Sequence, residues 1–279
     1  MINDMGVPSF IEVGMQRLAY HRSGQGPAVV LIHGIPTSSY LWRNVIPSLT
    51  RDGLEVLAID LLGYGDSDKP SDTDLGIAAQ AERVATALQK LRCQGGTLVG
   101  HDIGGGVAQL ICVDYPACAE RLVLIDSIAY DSFPEPSIAR LKEPAWDGIL
   151  GAPDFDLSKG LTKGFTRGMV HTDRITPNMI AAYERPFHGL DGRLAYLRAA
   201  RALRTEELSA RMGEIEKLDI PTLIIWGEDD VFQPSQYGAR LAAAMPRARF
   251  KTVERAGHFL PEDAPEVLAQ CIADFAKSD

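Results

Sequence analysis

The chain has 279 residues, enough for one large α/β domain with an insertion or for two small domains. Hydrophobic residues make up 46% and charged residues 23%, which is ordinary for a globular protein, and the net charge of −9 argues against nucleic acid or an anionic membrane as a partner. The four cysteines lack metal-ligand spacing and no apolar stretch is long enough to span a membrane, so we expect a cytoplasmic protein without a metal.

Short apolar runs separated by turn residues predict strands in the first half of the chain and again near its end. The runs expected to form strands are 10–13, 16–21, 28–32, 54–59, 96–99, 122–125, 222–226 and 249–253. Helical patterns lie between them at 39–49, 78–91, 104–115, 236–244 and 265–276. Strands that alternate with helices predict an α/β fold, in which a mostly parallel sheet carries helices on both faces.

The alternation stops between about Tyr130 and Leu218, where the sequence contains no convincing buried strand. Short helical patterns occur there among several prolines, at 179–184 and 194–203. We therefore predict a core domain formed by 1–129 and 219–279, with a helical cap, 130–218, inserted between its two parts. A helical domain unrelated to the functional site is the alternative interpretation of this insertion.

The segment from Gly100 to Gly104 reads Gly-His-Asp-Ile-Gly and has the spacing of a nucleophile elbow, with aspartate in the central position. A buried strand precedes it and a helical pattern follows, so small residues are needed at a sharp turn. The central side chain of such a turn is held exposed at the carboxyl edge of a sheet. A carboxylate in that place can attack carbon and form an ester, which makes Asp102 the candidate nucleophile.

Two further polar residues, an acid and a histidine, follow later strands. Together with Asp102 they have the chain order nucleophile, acid, histidine. His258 lies just past the last predicted strand. Asp230 is favoured as the acid because Gly227 and Asp230 have a Gly-x-x-Asp spacing. Asp229 is one alternative, and Asp126, which follows the preceding strand, is the other. The carboxyl ends of parallel strands share one edge of a sheet, so we expect these residues to converge.

The segment His33-Gly34-Ile35-Pro36 follows another buried strand and is the expected position of an oxyanion-binding loop. The backbone N–H groups of Ile35 and Ile103 would form the donor pair. A simple tight turn is the alternative interpretation of this segment.

These motifs resemble those of the α/β-hydrolase superfamily, in the branch that contains haloalkane dehalogenases and epoxide hydrolases. The resemblance rests on the elbow and on segments 33–44, 60–70 and 257–260. It implies the α/β-hydrolase fold and a two-step reaction without a cofactor. Asp102 would form an alkyl ester, and water activated by His258, with Asp230 orienting the imidazole, would hydrolyse it.

The leaving group decides between the two enzyme classes that the resemblance implies. Haloalkane dehalogenases bind the halide with side-chain N–H donors, and at the matching positions this chain has Ile35 and Ile103, which cannot donate. Epoxide hydrolases bind the ring oxygen with cap hydroxyls. The cap offers candidates for this role, with the first choice given first: Tyr183, Tyr196, His171 and His188. Packing between cap and core is the alternative role for the tyrosines.

The sequence thus favours an epoxide hydrolase that produces a diol. A haloalkane dehalogenase with halide donors supplied by the cap is the first alternative, and a non-catalytic or non-hydrolytic ligand-binding protein of the same fold is the second. We expect a small, largely apolar substrate, because Ile35, Ile103, Trp42 and Phe259 are predicted to crowd the site. The oligomeric state cannot be inferred from the sequence.

Overall fold

The structure is a computed structural model that describes residues 5–278. Its strands form one eight-stranded sheet in the order β1-β2-β4-β3-β5-β6-β7-β8. The strands are β1 (Ser9–Val13), β2 (Gln16–Ser23), β3 (Ala28–Ile32), β4 (Glu55–Ile59), β5 (Gly96–His101), β6 (Ala119–Ile125), β7 (Thr222–Gly227) and β8 (Ala248–Val253). Strand β2 is antiparallel to both of its neighbours, and the pairings from β4 to β8 are parallel.

The central strands are buried on both faces, as their continuous apolar sequences require. In β3, Val30 and Ile32 pack into one hydrophobic cluster, whereas Val29 and Leu31 pack into a second cluster on the opposite face. Successive side chains of a strand point to opposite faces, so such a strand needs helices on both sides.

Helices cover both faces of the sheet. The α-helices are α1 (Ile46–Arg51), α2 (Ile77–Leu91), α3 (Ile103–Asp114), α4 (Pro136–Ala139), α5 (Ala145–Gly151), α6 (Leu157–Gly168), α7 (Pro177–Glu184), α8 (Gly189–Arg201), α9 (Glu206–Ser209), α10 (Met212–Ile215), α11 (Gln236–Ala244), α12 (Leu260–Asp263) and α13 (Pro265–Ala276). Helices α2 and α3 bury residues in the Val30 cluster, and α1 and α13 bury residues in the Val29 cluster. The predicted α/β class, a mostly parallel sheet with helices on both faces, is confirmed. No helix among residues 5–278 is both long and apolar enough to cross a membrane.

One predicted helix is wrong. The pattern at 39–49 forms two shorter elements, a 3₁₀ turn at Ser39–Trp42 and then helix α1 from Ile46. Pro47 lies in the first turn of α1, where its missing N–H leaves no helical bond unmade. A continuous helix through Pro47 would lose such a bond, so the chain begins a new helix there.

The segment between β6 and β7 is helical throughout its ordered elements, from α4 to α10, and contains no strand. The cap boundaries at 130 and 218 remain a prediction. Side-chain and backbone contacts join this segment to the core. Arg185 forms a bidentate ion pair with Asp66 of the core at 2.7 and 2.8 Å. The carbonyl of Gly168, at the end of α6, accepts from the amide of Phe259 at 3.3 Å.

Candidate active site

Asp102 lies at the turn between β5 and α3, with a positive φ of 53°. This backbone conformation is uncommon for a residue with a side chain and is found where surrounding structure enforces it. Close packing around the turn holds the backbone in this conformation. At Gly104 an added Cβ would lie 2.4 Å from the carbonyl oxygens of both Ile32 and His33. Helix α3 therefore packs against the end of β3 at backbone distance, and the turn projects Asp102 beyond the edge of the sheet.

The Asp102 carboxylate is held by backbone amides. The amide of Ile35 donates to Asp102 Oδ1 at 3.0 Å, and the neighbouring backbone amide of Ile103 lowers the pKa of the same carboxyl. Gly34 permits the approach of the Ile35 amide, because a Cβ there would lie 2.4 Å from Asp102 Oδ1. Both predicted oxyanion donors thus act on one carboxylate, and the Ile35 amide is the donor that contacts Oδ1.

His258 reaches the same carboxylate from the loop between β8 and α12. Its Nε2 lies 3.7 Å from Asp102 Oδ2, and its Nδ1 lies 2.9 Å from Oδ2 of Asp230. The Asp230 carboxylate orients the ring, because Nδ1–H donates to it, and Nε2 is the ring nitrogen that faces Asp102. The structure therefore brings together the three residues that the sequence placed after separate strands.

The alternative acids occupy different environments. The Asp229 residue is exposed, and its backbone amide donates to the Ala256 carbonyl at 2.9 Å. Asp126 is fully buried at the end of β6, where its Oδ1 accepts from the amide of Gly227 at 2.8 Å. Of the three candidates, Asp230 is the one that hydrogen-bonds His258 in the described part of the chain.

Burial and charge shift the protonation equilibria of the site. Burial raises the pKa of Asp102, whereas the charge of His258 and the two backbone donors oppose that rise. Burial alone would lower the pKa of His258, but Asp230 and then Asp102 outweigh it and raise the pKa to about 9. Burial, followed by the charge of Asp230, raises the pKa of Asp126 well above its ordinary value. Burial and charge thus favour the neutral form of Asp126 and the protonated form of His258.

The loop that carries His258 is fixed by two buried side chains. His101, fully buried, donates from Nε2 to the His258 carbonyl at 2.8 Å, and burial lowers its pKa so that the ring stays neutral. Asp263 accepts from the amide of Gly257 at 2.8 Å and from the amide of Val170 at 2.9 Å. These contacts tie the histidine loop to the elbow on one side and to the cap on the other.

A cavity of about 820 Å³ opens at the triad formed by Asp102, His258 and Asp230 and extends beneath the cap. Asp102 and His258 line it, and apolar side chains from core and cap form much of its wall, including Ile35, Ile103, Ile128, Phe133, Leu161, Phe165, Phe232 and Phe259. Apart from Asp102, the charged lining residues are exposed or partly exposed. A cavity of this kind suits a small, largely apolar molecule.

Apart from His258, four lining residues carry uncharged side chains able to form hydrogen bonds: Ser137, Trp146, Tyr196 and Gln233. The hydroxyl of Ser137 is bonded to Glu135. Tyr196 of α8, Trp146 of α5 and Gln233, in the turn after β7, make no side-chain hydrogen bond with any residue from 5 to 278. These three groups remain available to a bound molecule.

The first choice among the predicted cap donors, Tyr183, does not line the cavity. Its hydroxyl donates to Oε1 of Glu262 at 2.6 Å, and Glu262 also pairs with Arg43 through two bonds of 2.6 and 2.8 Å. Tyr183 is fully buried in this polar cluster between cap and core. The pocket role predicted for Tyr183 is therefore wrong, whereas Tyr196, another of the candidates, does line the cavity.

Three other candidates also lie away from the cavity. Trp42, predicted to crowd the site, is fully buried on the other face of the sheet, in the cluster of Val29 and Leu31. His171 is absent from the lining, and its amide donates to Asp263 at 2.9 Å. His188 is exposed. The remaining predicted pocket residue, Phe259, lies in the wall and packs against His258 with ring centroids 5.1 Å apart.

Sequence reasoning missed Trp146 and Gln233. The only sequence signal for Gln233 was its position three residues after Asp230, in the same turn. Asp230 Oδ1 accepts from the amides of Phe232 and Gln233 at 2.7 and 2.9 Å, so the carboxylate that orients His258 also shapes this turn. Trp146 had no such signal, because the segment around it follows no motif.

Comparison with known proteins now assigns the chain to a family. The family model for the alpha/beta hydrolase family matches residues 29–271. A soluble epoxide hydrolase from Corynebacterium sp. is 33% identical, with 93% of each chain covered, and haloalkane dehalogenase 2 from Mycobacterium tuberculosis is 29% identical, covering 92% of this chain and 91% of that protein. The crystal structure of an alpha/beta hydrolase fold protein from Burkholderia ambifaria is 27% identical, with a TM-score of 0.87 over 97% of this chain and 98% of that one. The predicted α/β-hydrolase fold is confirmed, and the chain belongs to the alpha/beta hydrolase family.

Proposed function

We propose that the protein hydrolyses epoxides to vicinal diols through a covalent ester on Asp102. One observation carries the proposal: the unengaged phenol of Tyr196 shares a largely apolar cavity with a carboxylate that is oriented by the Ile35 amide and faces His258. Epoxide opening needs both a nucleophile at carbon and a proton donor at the ring oxygen. The relative named a soluble epoxide hydrolase supports this choice of leaving group.

In the first step, Asp102 Oδ2 attacks a ring carbon and the carbon–oxygen bond of the ring breaks. Oδ2 is the attacking atom because Oδ1 accepts from the Ile35 amide at 3.0 Å. Tyr196 gives its proton to the departing oxygen, forming a hydroxyl and a phenolate. Burial raises the pKa of Tyr196 to about 12, so the phenol stays protonated at neutral pH and yet remains a stronger acid than the alcohol it produces.

In the second step, His258 takes a proton from water and the resulting hydroxide attacks Cγ of the ester. The carbonyl oxygen, Oδ1, becomes an oxyanion between the amides of Ile35 and Ile103. Collapse breaks the bond between Cγ and the ester oxygen Oδ2, which leaves as the second oxygen of the diol, and the oxygen of the water remains in the Asp102 carboxylate. The two protons of the water end on the second diol oxygen and on the Tyr196 phenolate, so the enzyme is restored.

The test is to trap the ester. With styrene oxide, His258→Gln is expected to accumulate a mass increase equal to the epoxide on the peptide that contains Asp102, because the base for the second step is absent. Asp102→Asn is the matched control and is expected to show no increase. Single-turnover hydrolysis by the wild type in ¹⁸O-water should place the label in Asp102. Absence of both adduct and label with styrene oxide would refute the proposal.

A second candidate, dehalogenation, is favoured by Trp146. Its indole N–H lines the cavity and makes no hydrogen bond with the described residues, so it could bind a halide displaced by Asp102. The relative named haloalkane dehalogenase 2 supports this alternative. Parallel assays with styrene oxide and 1-bromobutane separate the two: diol formation supports the proposal, whereas halide release without diol formation supports the second candidate. Ligand-dependent thermal stabilisation without turnover of either compound would identify a binding protein.

A further inference from the structure

Gln233 is a buried amide with an unused hydrogen-bonding capacity at the candidate site. The residue is 2% exposed, lines the cavity, and its side-chain Oε1 is buried without a partner among the described residues. Buried polar side chains are nearly always hydrogen-bonded in folded proteins, and an exception calls for an explanation. The side-chain Nε2 also makes no hydrogen bond with the described residues but is not fully buried, so this N–H group can meet a ligand in the cavity.

The backbone of Gln233 is clamped on both sides. Its amide donates to Asp230 Oδ1 at 2.9 Å, and its carbonyl accepts from the indole Nε1 of Trp226 at 2.7 Å. The other oxygen of Asp230 holds His258. The backbone of Gln233 is thus held by the same carboxylate that positions the proposed base, so the point from which its side chain extends is fixed before any ligand binds.

Other buried glutamines of this chain serve the backbone instead. Gln80 accepts from the amide of Leu62 at 3.1 Å and donates to the Leu62 carbonyl at 2.8 Å. Gln109 donates from Nε2 to three acceptors, including the Ile128 carbonyl at 2.9 Å. Gln233 differs because its side chain bridges no described segments. A role in holding the fold therefore does not account for it.

We propose that the Gln233 carboxamide binds the substrate oxygen that leaves the attacked carbon and the hydroxyl formed from it. The identity of this oxygen rests on the function proposed above. The amide N–H donates to the ring oxygen and then to the oxygen of the hydroxyl formed from it. An amide does not transfer a proton at neutral pH. Tyr196 therefore supplies the proton, and Gln233 orients the substrate oxygen that receives it. The site thereby selects a molecule with an oxygen substituent over an apolar molecule of the same shape.

Ligand binding tests this assignment without requiring turnover. The dissociation constants of 1-phenyl-1,2-ethanediol and of ethylbenzene, which has no oxygen, are measured for the wild type and for Gln233→Leu by isothermal titration calorimetry. We expect the diol to bind about tenfold more weakly to the variant, because one ligand hydrogen bond is lost. We expect ethylbenzene to change by less than about twofold. Equal weakening of both ligands, or no weakening of either, would overturn the inference.

Stability provides a second readout that separates ligand binding from a structural role. Gln233→Leu removes a buried polar group without a protein partner, so its Tm is expected to stay the same or to rise by about 2–4 °C. Gln80→Leu is the matched control and should lower Tm, because it breaks two backbone bonds. A lower Tm for Gln233→Leu, with an unchanged ratio of the two dissociation constants, contradicts the inference. Gln233→Met has a similar shape and tests the same point if the leucine variant does not fold.

The two proposals fail in different ways. If the wild type hydrolyses no epoxide but Gln233→Leu still loses affinity for the diol alone, the proposed function is refuted and the oxygen-binding role of Gln233 stands. If styrene oxide is hydrolysed through the Asp102 ester but both ligands respond equally to the substitution, the function stands and the role of Gln233 is refuted.

Discussion

Asp102 Oδ2 lies 3.7 Å from His258 Nε2, while Oδ1 of the same carboxylate is hydrogen-bonded to the Ile35 amide at 3.0 Å. The first distance exceeds that of a hydrogen bond, so Oδ2 is not tied to the imidazole and keeps its lone pairs for attack. The second contact fixes the rotation of the carboxylate. One side chain thus presents a reactive oxygen to the cavity and places the other oxygen between the expected oxyanion donors.

Gly34→Ala should disable this arrangement. The new Cβ would lie 2.4 Å from Asp102 Oδ1 and 2.5 Å from Asp102 Cβ, so the carboxylate must move. A displacement of about 1 Å in a reacting group costs about a hundredfold in rate, and we expect at least that loss in the formation of the ester. The rate of adduct formation with styrene oxide, measured in the His258→Gln background, provides the check.

The control for that experiment is Gly213→Ala, where an added Cβ meets no atom within 4 Å. It should leave the rate of ester formation unchanged. A Gly34→Ala variant that forms the ester as fast as this control would contradict the proposed role of the loop.

The three aspartates considered as the acid should respond differently to replacement by asparagine. Asp230→Asn removes the charge that orients and stabilises the His258 imidazolium, and we expect hydrolysis of the ester to slow by about 10³–10⁴. Asp126→Asn should change the rate only a few-fold, because burial and the charge of Asp230 raise the pKa of the Asp126 carboxyl and favour its neutral form. Asp229 is exposed, and its substitution should have no effect.

Single-turnover kinetics with each variant would test this order. A loss in Asp126→Asn as large as that in Asp230→Asn would show that the acid after β6 serves the histidine instead. The circular dichroism spectrum of each variant controls for loss of fold.

Two tyrosines of the cap should separate stability from activity. Tyr183→Phe deletes a charge-assisted bond to buried Glu262, so the free energy of unfolding should fall by about 1.5–3 kcal/mol while kcat is retained. Tyr196→Phe deletes a hydroxyl without a protein partner, so stability should be retained while kcat for styrene oxide falls by about a hundredfold. Urea unfolding and steady-state assays on the two variants measure both quantities. Equal losses of kcat in the two variants would remove the case for Tyr196 as the proton donor.

The pH dependence of the second step should follow His258. The base must be neutral, and its pKa is about 9 in the free enzyme, to which the negative charge of Asp102 contributes. Esterification removes that charge, so we expect the rate of ester hydrolysis to rise with pH through a midpoint below 9. Rapid-quench measurement of ester decay across pH 6 to 10 checks this expectation. A rate that is independent of pH in this range would argue against His258 as the base.

The same titration should appear in stability. The pKa of His258 is raised from 6.5 to about 9 in the folded protein, so its contribution to stability is fully present below pH 6.5 and is lost as pH rises through 9. The difference in unfolding free energy between the wild type and His258→Gln should therefore shrink over this interval. Chemical denaturation at pH 6, 7.5 and 9 measures it, and a difference that grows with pH would be inconsistent with the buried carboxylate–imidazolium pair.

The sequence alone determined the sheet and the place of the polar residues at its edge. Continuous apolar runs can form only strands or helices with no solvent face, and short runs between turn residues favour strands. Parallel strands end at a common edge, so the order of Asp102, Asp230 and His258 along the chain was enough to expect their convergence. Such information is local, since each residue is defined by the strand or turn that immediately precedes it.

Only the tertiary structure decided which cap residues face the cavity. Tyr183 and Tyr196 are the same residue type on neighbouring short helices, yet one is bound to Glu262, which lies 79 residues further along the chain, and the other is free in the cavity. Trp42 was likewise assigned to the pocket, but its position on the far face of the sheet follows from how the chain after β3 turns. Gln233 is recognised only from the tertiary structure, where its buried side-chain oxygen has no partner among residues 5–278. The orientation of a helix or turn depends on long-range packing, and a sequence pattern records which face is apolar but not which neighbour that face meets.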